Sequence, residues 1–599
     1  MGAAAGAGKA VGDIAAASSK TQAERRLAVA EQAILGWRRA CSPGVWDSDA
    51  TCTNESLLSA VDEIILLAEI HAFPMASAAR RSMEGALGVA VSCLVGEFLR
   101  LRVWDASQME IRLGLRFAAG KFPVPAATSG VSLSLAFPTT GSISTASTID
   151  ELYASGGSQS SAADAVTVLL DGDFFDELDL MPASLSVLHQ IALRIIRGGF
   201  TKELLHAFTN APCDVLDRFM SILQLECPFE IDHVSFEDAE WWTAEDMIKR
   251  WILTIKLVAK VLAVMQSQLN AQSCGAFDRF KNDYFMAMAK NSIFVLLRFA
   301  NGFTSTEAPD KLVYVLEMYE ALSNAAPGLL LLFTEQRVEL ISRQVEVVLA
   351  KLARALRIMV GGLITRIRTA DRSQTTGSAA CGVGVHPLTR YAMTCVELLA
   401  PHGPALDVIL SNGGAAEGVN SLGGLVAVLV TSLERNLEEI SPEISSDDGD
   451  AVAASRHLFL ATNASFVARR AVDAGVESLL GEGWAARRGS LISRYVASYV
   501  EACWAPVVAC LETSGWKPAK AAVAKFIAAF DKAYESQMRR EVPDPALRDA
   551  LRKAASEVVV PAYSVYLQKH PELVKNVRYT AGELGQLLSE LFEGEAAES

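Results

Sequence analysis

Apolar side chains recur every three or four residues along most of this chain, which is the period of an amphipathic α-helix. The longest such stretch runs from residue 334 to 368, where charged residues occupy the other side of the helical wheel. Its apolar stripe consists of Ile341, Val345, Val348, Leu352, Leu356, Met359 and Leu363. At ~1.5 Å per residue this pattern predicts a helix of roughly 50 Å. Alternation with period two, typical of strands, is almost absent outside VSLSLAF at residues 131–137.

Segments rich in Gly, Ser, Thr, Ala or Asp separate the helical patterns and are predicted to be loops. They lie at residues 1–20, 122–164, 370–385, 411–423 and 441–452. We predict an all-α fold, an elongated rod of stacked antiparallel helical bundles with no sheet. No repeat with a fixed period of about 30 to 50 residues is visible, which argues against tetratricopeptide, HEAT or armadillo arrays.

These boundaries predict four regions along the chain. Residues 1–20 form a disordered Ala/Gly-rich N-terminus, and residues 21–116 form an N-terminal helical unit. A Ser/Thr/Gly-rich linker follows at 117–165, and a helical rod at 166–599 completes the chain. Within the rod, residues from about 450 to 594 form a C-terminal bundle. The charge distribution described below leads us to expect that this bundle faces lipid.

Two helix starts are well marked near the C-terminus. Asp544-Pro545 combines a side chain that accepts hydrogen bonds from the first helical turn with a residue preorganised for the first helical position. Pro561, further along the same helix, predicts a kink because it lacks a backbone donor. Thr580 and Glu583 have the spacing of a capping box and precede a final helix with apolar residues at helical period.

Charge is distributed unevenly along the 599 residues. The chain has a formal net charge of -15, which argues against general nucleic-acid binding because phosphate contacts need a basic footprint. Residues 517–578 nevertheless contain twelve Lys or Arg and seven Asp or Glu, whereas residues 581–599 contain five Glu and no base. Such a basic segment indicates either a solvated helical surface or a surface for an anionic membrane, where each base contributes on the order of 1 kcal/mol.

Lys575 and Arg578 are the strongest candidates for anion binding, because they directly precede the positive end of the predicted final helix. Arg548 and Arg552 share a helix face at a spacing of four residues. Lys553 and Lys569 belong to the same predicted helix. The candidate lipid-binding set is therefore Lys575, Arg578, Arg548, Arg552, Lys553 and Lys569.

No motif predicts catalysis, a metal or a cofactor. The ten cysteines include no Cys-x-x-Cys pair, and the eight histidines stand singly without a zinc or nucleophile motif. The N-terminus lacks the pattern of a signal peptide. The most apolar run, WILTIKLVAKVLAVM from Trp251, is shorter than the ~20 residues of a membrane span and carries two lysines. We therefore expect a cytosolic protein without a transmembrane segment.

Several segments, in this order, resemble the exocyst 70 kDa subunit family in its plant-like form over residues 166–594. They are IALRIIRGGFTKELLHAF from Ile191, KLVYVLEMYEAL from Lys311, HPLTRYAM from His386, LFLATNASFVARR from Leu458, LLGEGW from Leu479, YVASYVEACW from Tyr495, VPDPALRDALR from Val542, VPAY from Val560 and KNVRY from Lys575.

The resemblance implies a non-enzymatic helical rod that helps tether secretory vesicles to the plasma membrane in exocytosis. It implies binding of phosphatidylinositol 4,5-bisphosphate through C-terminal bases, and the family's Lys-x-x-Lys/Arg lipid motif falls on Lys575 and Arg578. Other exocyst subunits and a Rho-type GTPase are the implied protein partners. The implied location is cytoplasmic and peripheral, at the inner face of the plasma membrane.

Departures from the family pattern keep a second hypothesis open. Ser564 stands where the family usually has Arg, and the front section is short and Ala-rich compared with the usual N-terminal coiled-coil helix. Under this hypothesis the chain is a specialised plant paralogue that acts as a soluble protein-interaction scaffold in immunity. Its partner is then a pathogen effector or an immune receptor. A remote alternative is an unrecognised hydrolase, which requires a histidine close to a Ser or Cys nucleophile.

Overall fold

The structure is a computed structural model. It describes residues 21–38, 51–118, 172–209, 213–222, 241–272, 278, 280–305, 307–333, 335–370, 384–412, 419–443, 452–512, 519–574 and 577–594. The predicted N-terminus at 1–20, nearly all of the predicted linker, the strand candidate at 131–137 and Lys575 lie outside these residues. The four predicted regions and their boundaries stay predictions.

The helices before residue 312 belong to one compact unit. They are α1 (21–38), α2 (Thr51–Glu69), α3 (Ala78–Arg100), α4 (Ser107–Ala118), α5 (Gly172–Phe175), α6 (Pro182–Arg197), α7 (Thr201–Thr209), α8 (Asp214–Ile222), α9 (Trp241–Ala271) and α10 (Lys281–Gly302). Two helices are divided between this unit and the next, α11 (Leu312–Leu331) and α12 (Glu335–Thr369).

The second compact unit contains the remaining helices. They are α13 (Pro387–Leu399), α14 (Gly403–Ser411), α15 (Leu422–Ile440), α16 (Val452–Asp473), α17 (Trp484–Cys503), α18 (Ala505–Ala509), α19 (Ala519–Met538), α20 (Pro545–Lys569) and α21 (Ala581–Ser589). Single turns of 3-10 helix occur at Phe303–Ser305, Pro309–Lys311, Ala400–His402, Ser441–Glu443, Glu477–Leu480 and Pro571–Leu573.

The all-α prediction is confirmed, with one small addition. Strands β1 (Trp104–Asp105) and β2 (Asp179–Leu180) form a two-residue antiparallel pair, so the expectation of no sheet needs this amendment. The pair exists because two helix connections run side by side: Met181 N–H donates to the Val103 carbonyl at 2.9 Å, and Trp104 is buried. Two residues per strand are too few to show the period-two pattern that identifies strands from sequence.

The long helix predicted at residues 334–368 is α12, Glu335–Thr369. All seven residues of its predicted apolar stripe are buried, as the helical period requires. The helix predicted to begin at Asp544-Pro545 is α20, in which the Asp544 side chain accepts from the Ala546 N–H at 3.1 Å. It continues through Pro561 to Lys569.

Three segments are long and apolar enough to cross a membrane by length and composition: Ala78–Arg100, Met247–Ala271 and Pro387–Ser411. The second contains the run from Trp251 that we expected to be too short, because α9 extends beyond that run at both ends. Trp251, Val258 and Val261 in this helix are nevertheless fully buried against the protein's own core. The third segment is interrupted by the 3-10 turn at Ala400–His402. Packing within the fold thus accounts for the buried half of the second segment.

Helices α17, α19, α20 and α21 share one apolar core in the second unit. Its largest fully buried side chains include Trp504, Tyr499, Tyr563, Phe526 and Phe530. Phe526 stacks on Tyr563 with ring centroids 4.8 Å apart, which joins α19 to α20. This core fixes the positions of the surface bases described below.

A buried polar contact joins α13 to α16, and both partners come from segments that carry the family resemblance. The Asn463 side-chain oxygen accepts from the His386 backbone N–H at 2.9 Å and from the Thr389 hydroxyl at 2.7 Å. Its amide nitrogen donates to the Phe459 carbonyl at 2.8 Å. Asn463 and Thr389 are fully buried, so these hydrogen bonds have no water to replace them.

Candidate functional site

Arg548 and Arg552 hold a carboxylate from the end of the chain. Arg548 Nη1 lies 2.7 Å from Glu593 Oε2, and Arg552 Nη2 contacts Glu593 Oε1. Arg552 also donates from Nε to the Leu591 carbonyl at 2.8 Å. The two arginines lower the pKa of Glu593 by hydrogen bonding to its ionised form. We call Arg548, Arg552 and Glu593 the Glu593 clamp.

The backbone after α21 brings Glu593 to this place. Val542 N–H donates to the Phe592 carbonyl at 3.2 Å, and Glu541 and Glu593 form an isolated antiparallel bridge. Phe592 is fully buried and has a left-handed backbone with φ 69°. The buried ring anchors the segment, so the next side chain is directed to the arginines.

The other two predicted bases of α20 lie sixteen residues apart, and neither is part of the clamp. Lys553 is exposed, with Nζ 3.9 Å from Glu557 Oε1. Lys569 is exposed at the C-terminal end of the helix. It follows Arg552 by seventeen residues, a separation of ~26 Å along the axis. The structure therefore does not bring the predicted set together as one site.

Arg578 remains accessible although it has an acidic partner. Its Nη1 lies 2.6 Å from Asp531 Oδ2, and its guanidinium carbon lies 5.0 Å from the centroid of the Tyr579 ring. Its side chain is 64% exposed, so the charge faces solvent. An exposed ion pair of this kind contributes only about 0–1 kcal/mol, and an anionic surface competes with it.

The predicted capping box at the start of α21 is confirmed. Thr580 Oγ1 accepts from the Glu583 N–H at 3.2 Å, and the Glu583 carboxylate accepts from the Thr580 N–H at 2.7 Å. Donation to the carboxylate from the Thr580 N–H and from the Thr580 hydroxyl lowers the pKa of Glu583. The protein's own carboxylate thus occupies a place at this helix start that we expected to be open to an external anion.

Three exposed lysines of α19 were not among the predicted bases. Lys525 and Lys532 are exposed seven residues apart, a spacing that keeps both on one side of the helix, and Lys520 is exposed at its first turn. The seven-residue interval between Lys525 and Lys532 was the feature of the sequence that could have identified them as a shared basic face. The Tyr566 hydroxyl donates to the Ala519 carbonyl at 3.4 Å, which places the start of α19 beside the end of α20 and thus near Lys569.

We group Lys520, Lys525, Lys532, Lys569 and Arg578 under the name basic edge. Three of these bases lie on α19, and contacts of α19 with Tyr566 and Arg578 bring the end of α20 and Arg578 next to this helix. Acidic residues interrupt it, since Asp531 pairs with Arg578 and Glu572 lies 3.3 Å from His570. The arrangement can attract an anionic surface at short range, and salt screens that attraction beyond ~8–10 Å.

The described residues offer little that a catalytic centre would use. Among them, no group of three or more His, Cys, Asp or Glu side chains is arranged to hold a metal ion. Burial raises the pKa of Cys395 to about 12 and that of Cys503 to about 11, which keeps both thiols protonated at neutral pH. Burial also lowers the pKa of His386 to about 4. Neither thiol is therefore prepared as a nucleophile.

Comparison with known proteins identifies similar chains. A family model for the C-terminal part of the Exo70 exocyst complex subunit matches residues 249–590. The chain is 25% identical over 439 residues to exocyst complex component EXO70A1 of Arabidopsis thaliana, covering 69% of this chain and 67% of that protein. It is 23% identical over 436 residues to EXO70B1 of the same organism, covering 70% and 68%.

A solved structure shares the fold. The crystal structure of the S. cerevisiae exocyst component Exo70p matches with a TM-score of 0.50 and 13% sequence identity, covering 96% of this chain and 99% of that chain. At this identity the likeness concerns the arrangement of helices alone.

Proposed function

The chain belongs to the Exo70 family of exocyst complex subunits, and from that premise we propose that it helps tether secretory vesicles to the plasma membrane by binding phosphoinositide lipid and other exocyst subunits. The family match over residues 249–590 carries the proposal. Membership in this family supports a role in the exocyst complex. The lipid, the tethering step and a Rho-type GTPase partner belong to the proposal.

The basic edge supports the lipid part of the proposal. Lys569 is exposed at the end of α20, and Arg578 exposes most of its side chain in spite of its ion pair with Asp531. Lys575 lies between them in sequence, outside the described residues. Each such base contributes on the order of 1 kcal/mol at an anionic membrane surface. Because these contributions are small, membrane binding is reversible, and protein partners are needed for a long-lived complex with the membrane.

Reversing the charge of two bases tests the lipid part. We expect Lys569→Glu combined with Arg578→Glu to weaken binding to vesicles by at least about thirtyfold, because two attractive charges of ~1 kcal/mol each become repulsive. The measurement is co-sedimentation with phosphatidylcholine vesicles that contain phosphatidylinositol 4,5-bisphosphate. Circular dichroism at the helical wavelengths should remain unchanged.

The matched control reverses two exposed arginines elsewhere. Arg343 and Arg435 each pair with a glutamate one helical turn away and are at least as exposed as Arg578. Arg343→Glu combined with Arg435→Glu changes the net charge equally and should leave vesicle binding within about twofold of the wild type. Equal losses in the two double variants would remove the basic edge from lipid binding.

A soluble scaffold in immunity is the second candidate, and one observation favours it. Arg548, Arg552 and Arg578 all have carboxylate partners within the chain, which reduces the charge available to a membrane. In this alternative a pathogen effector or immune receptor is the partner, and the other exocyst subunits are not. The two candidates therefore differ in the proteins that co-purify with the chain.

A further inference from the structure

The Glu593 clamp has the geometry of an occupied anion site. Arg548 and Arg552 lie one turn apart on α20, and each guanidinium holds a different oxygen of the same carboxylate. Arginine forks that recognise a carboxylate in this way also suit a phosphate group.

The carboxylate leaves one donor of the clamp unsatisfied. Within the part of the chain that the structure describes, Arg548 Nε is buried and has no acceptor. A buried donor without an acceptor costs free energy. A phosphate offers more oxygen acceptors than a carboxylate, so it can accept from both guanidinium groups at once.

The present occupant is easy to displace. The Glu593 side chain is 56% exposed, whereas those of Arg548 and Arg552 are 22% and 18% exposed. Because more than half of the glutamate side chain is already exposed, water can solvate its carboxylate once the side chain rotates away. Phe592 stays buried during that rotation, and the bond from Arg552 Nε to the Leu591 carbonyl keeps this guanidinium in place.

We propose that Glu593 masks a second phosphate-binding site, formed by Arg548 and Arg552, which opens when a phosphoinositide headgroup displaces the glutamate. The inference rests on the lipid binding proposed above. The site is separated from Lys569 by more than a Debye length, so the two bind headgroups independently. A membrane held at the basic edge supplies the headgroups at high local concentration, which drives the exchange.

Neutralising the glutamate tests the mask. We expect Glu593→Gln to bind phosphatidylcholine vesicles containing phosphatidylinositol 4,5-bisphosphate about thirtyfold more tightly than the wild type, since two bases of ~1 kcal/mol each become available. Arg548→Gln and Arg552→Gln, added to Glu593→Gln, should abolish the gain. Glu590→Gln is the matched control, because it also removes one negative charge. Glu590 lies three residues before Glu593, and its carboxylate is beside Tyr534 rather than the two arginines.

Several outcomes would overturn the inference. Glu593→Gln binding like the wild type, or Glu590→Gln gaining as much as Glu593→Gln, would show that no specific site is masked. A gain for soluble inositol 1,4,5-trisphosphate, without any gain for vesicles, would overturn the assignment to lipid. Lys569→Glu with Arg578→Glu, measured alongside, separates the two proposals. If this double variant still loses binding while Glu593→Gln gains none, the mask fails and the proposed function stands.

Discussion

Replacing Asn463 with alanine should destabilise the second unit by about 3–5 kcal/mol, because the change leaves several buried polar groups without partners at once. The His386 N–H and the Thr389 hydroxyl both lose their acceptor, and the Phe459 carbonyl loses a donor. The apolar surroundings prevent water from substituting. Urea unfolding followed by circular dichroism measures the loss, and thermal unfolding should shift by roughly 5–15 °C.

Thr462 provides the matched control for this prediction. It is buried one residue earlier on α16, and its hydroxyl donates only within its own helix, to the Leu458 carbonyl at 2.9 Å. Thr462→Ala should cost about 1 kcal/mol, the usual net contribution of one hydrogen bond. If Asn463→Ala costs no more than Thr462→Ala, the link between α13 and α16 is not a major source of stability.

Stability should also depend on pH through His386, which begins α13 as a buried N-cap. Its Nδ1 accepts from the Leu388 N–H at 3.2 Å, a bond that requires the neutral ring. Burial lowers the pKa to about 4 from an ordinary value of 6.5. The positive end of α13 disfavours the protonated ring further.

The sign of the effect follows from this depressed pKa. Above pH 6.5 the ring is neutral in both states and the folded protein has its full stability. As the pH falls from 6.5 to about 4, the unfolded chain takes up the proton first, and the folded state loses about 3 kcal/mol. Urea unfolding at pH 7.5 and pH 4.5 should therefore differ much less in His386→Asn, which retains a capping side chain. Equal pH dependence in the variant and the wild type would contradict this role.

Local rules predicted the helices because their determinants are close together in sequence. The stripe from Ile341 to Leu363, the cap at Asp544 and the box formed by Thr580 and Glu583 each depend on neighbours within a few residues. The β1–β2 pair depends on residues that are far apart in the chain, and its two-residue strands carry no period.

The predicted bases also show that contacts between residues far apart in the chain cannot be predicted from local sequence patterns. Arg548 and Arg552 read as free cations, whereas their partner Glu593 follows more than forty residues later. The run of five glutamates without a base after Ala581 was the available sign that an acid lies near these bases, but spacing does not say which base it meets. Similarly, Lys520 lies near Lys569 because the start of α19 packs beside the end of α20, a contact that the sequence does not predict.

Affinity purification of the full chain from its native cells, with mass spectrometry of the proteins recovered, tests the central claim most directly. A member of the exocyst should bring down the other exocyst subunits. The variant that combines Lys569→Glu with Arg578→Glu should recover the same subunits, since we propose that those two bases bind lipid and not protein. If the wild-type chain recovers none of the other exocyst subunits, the tethering role is contradicted. The soluble interaction scaffold is then the remaining candidate function.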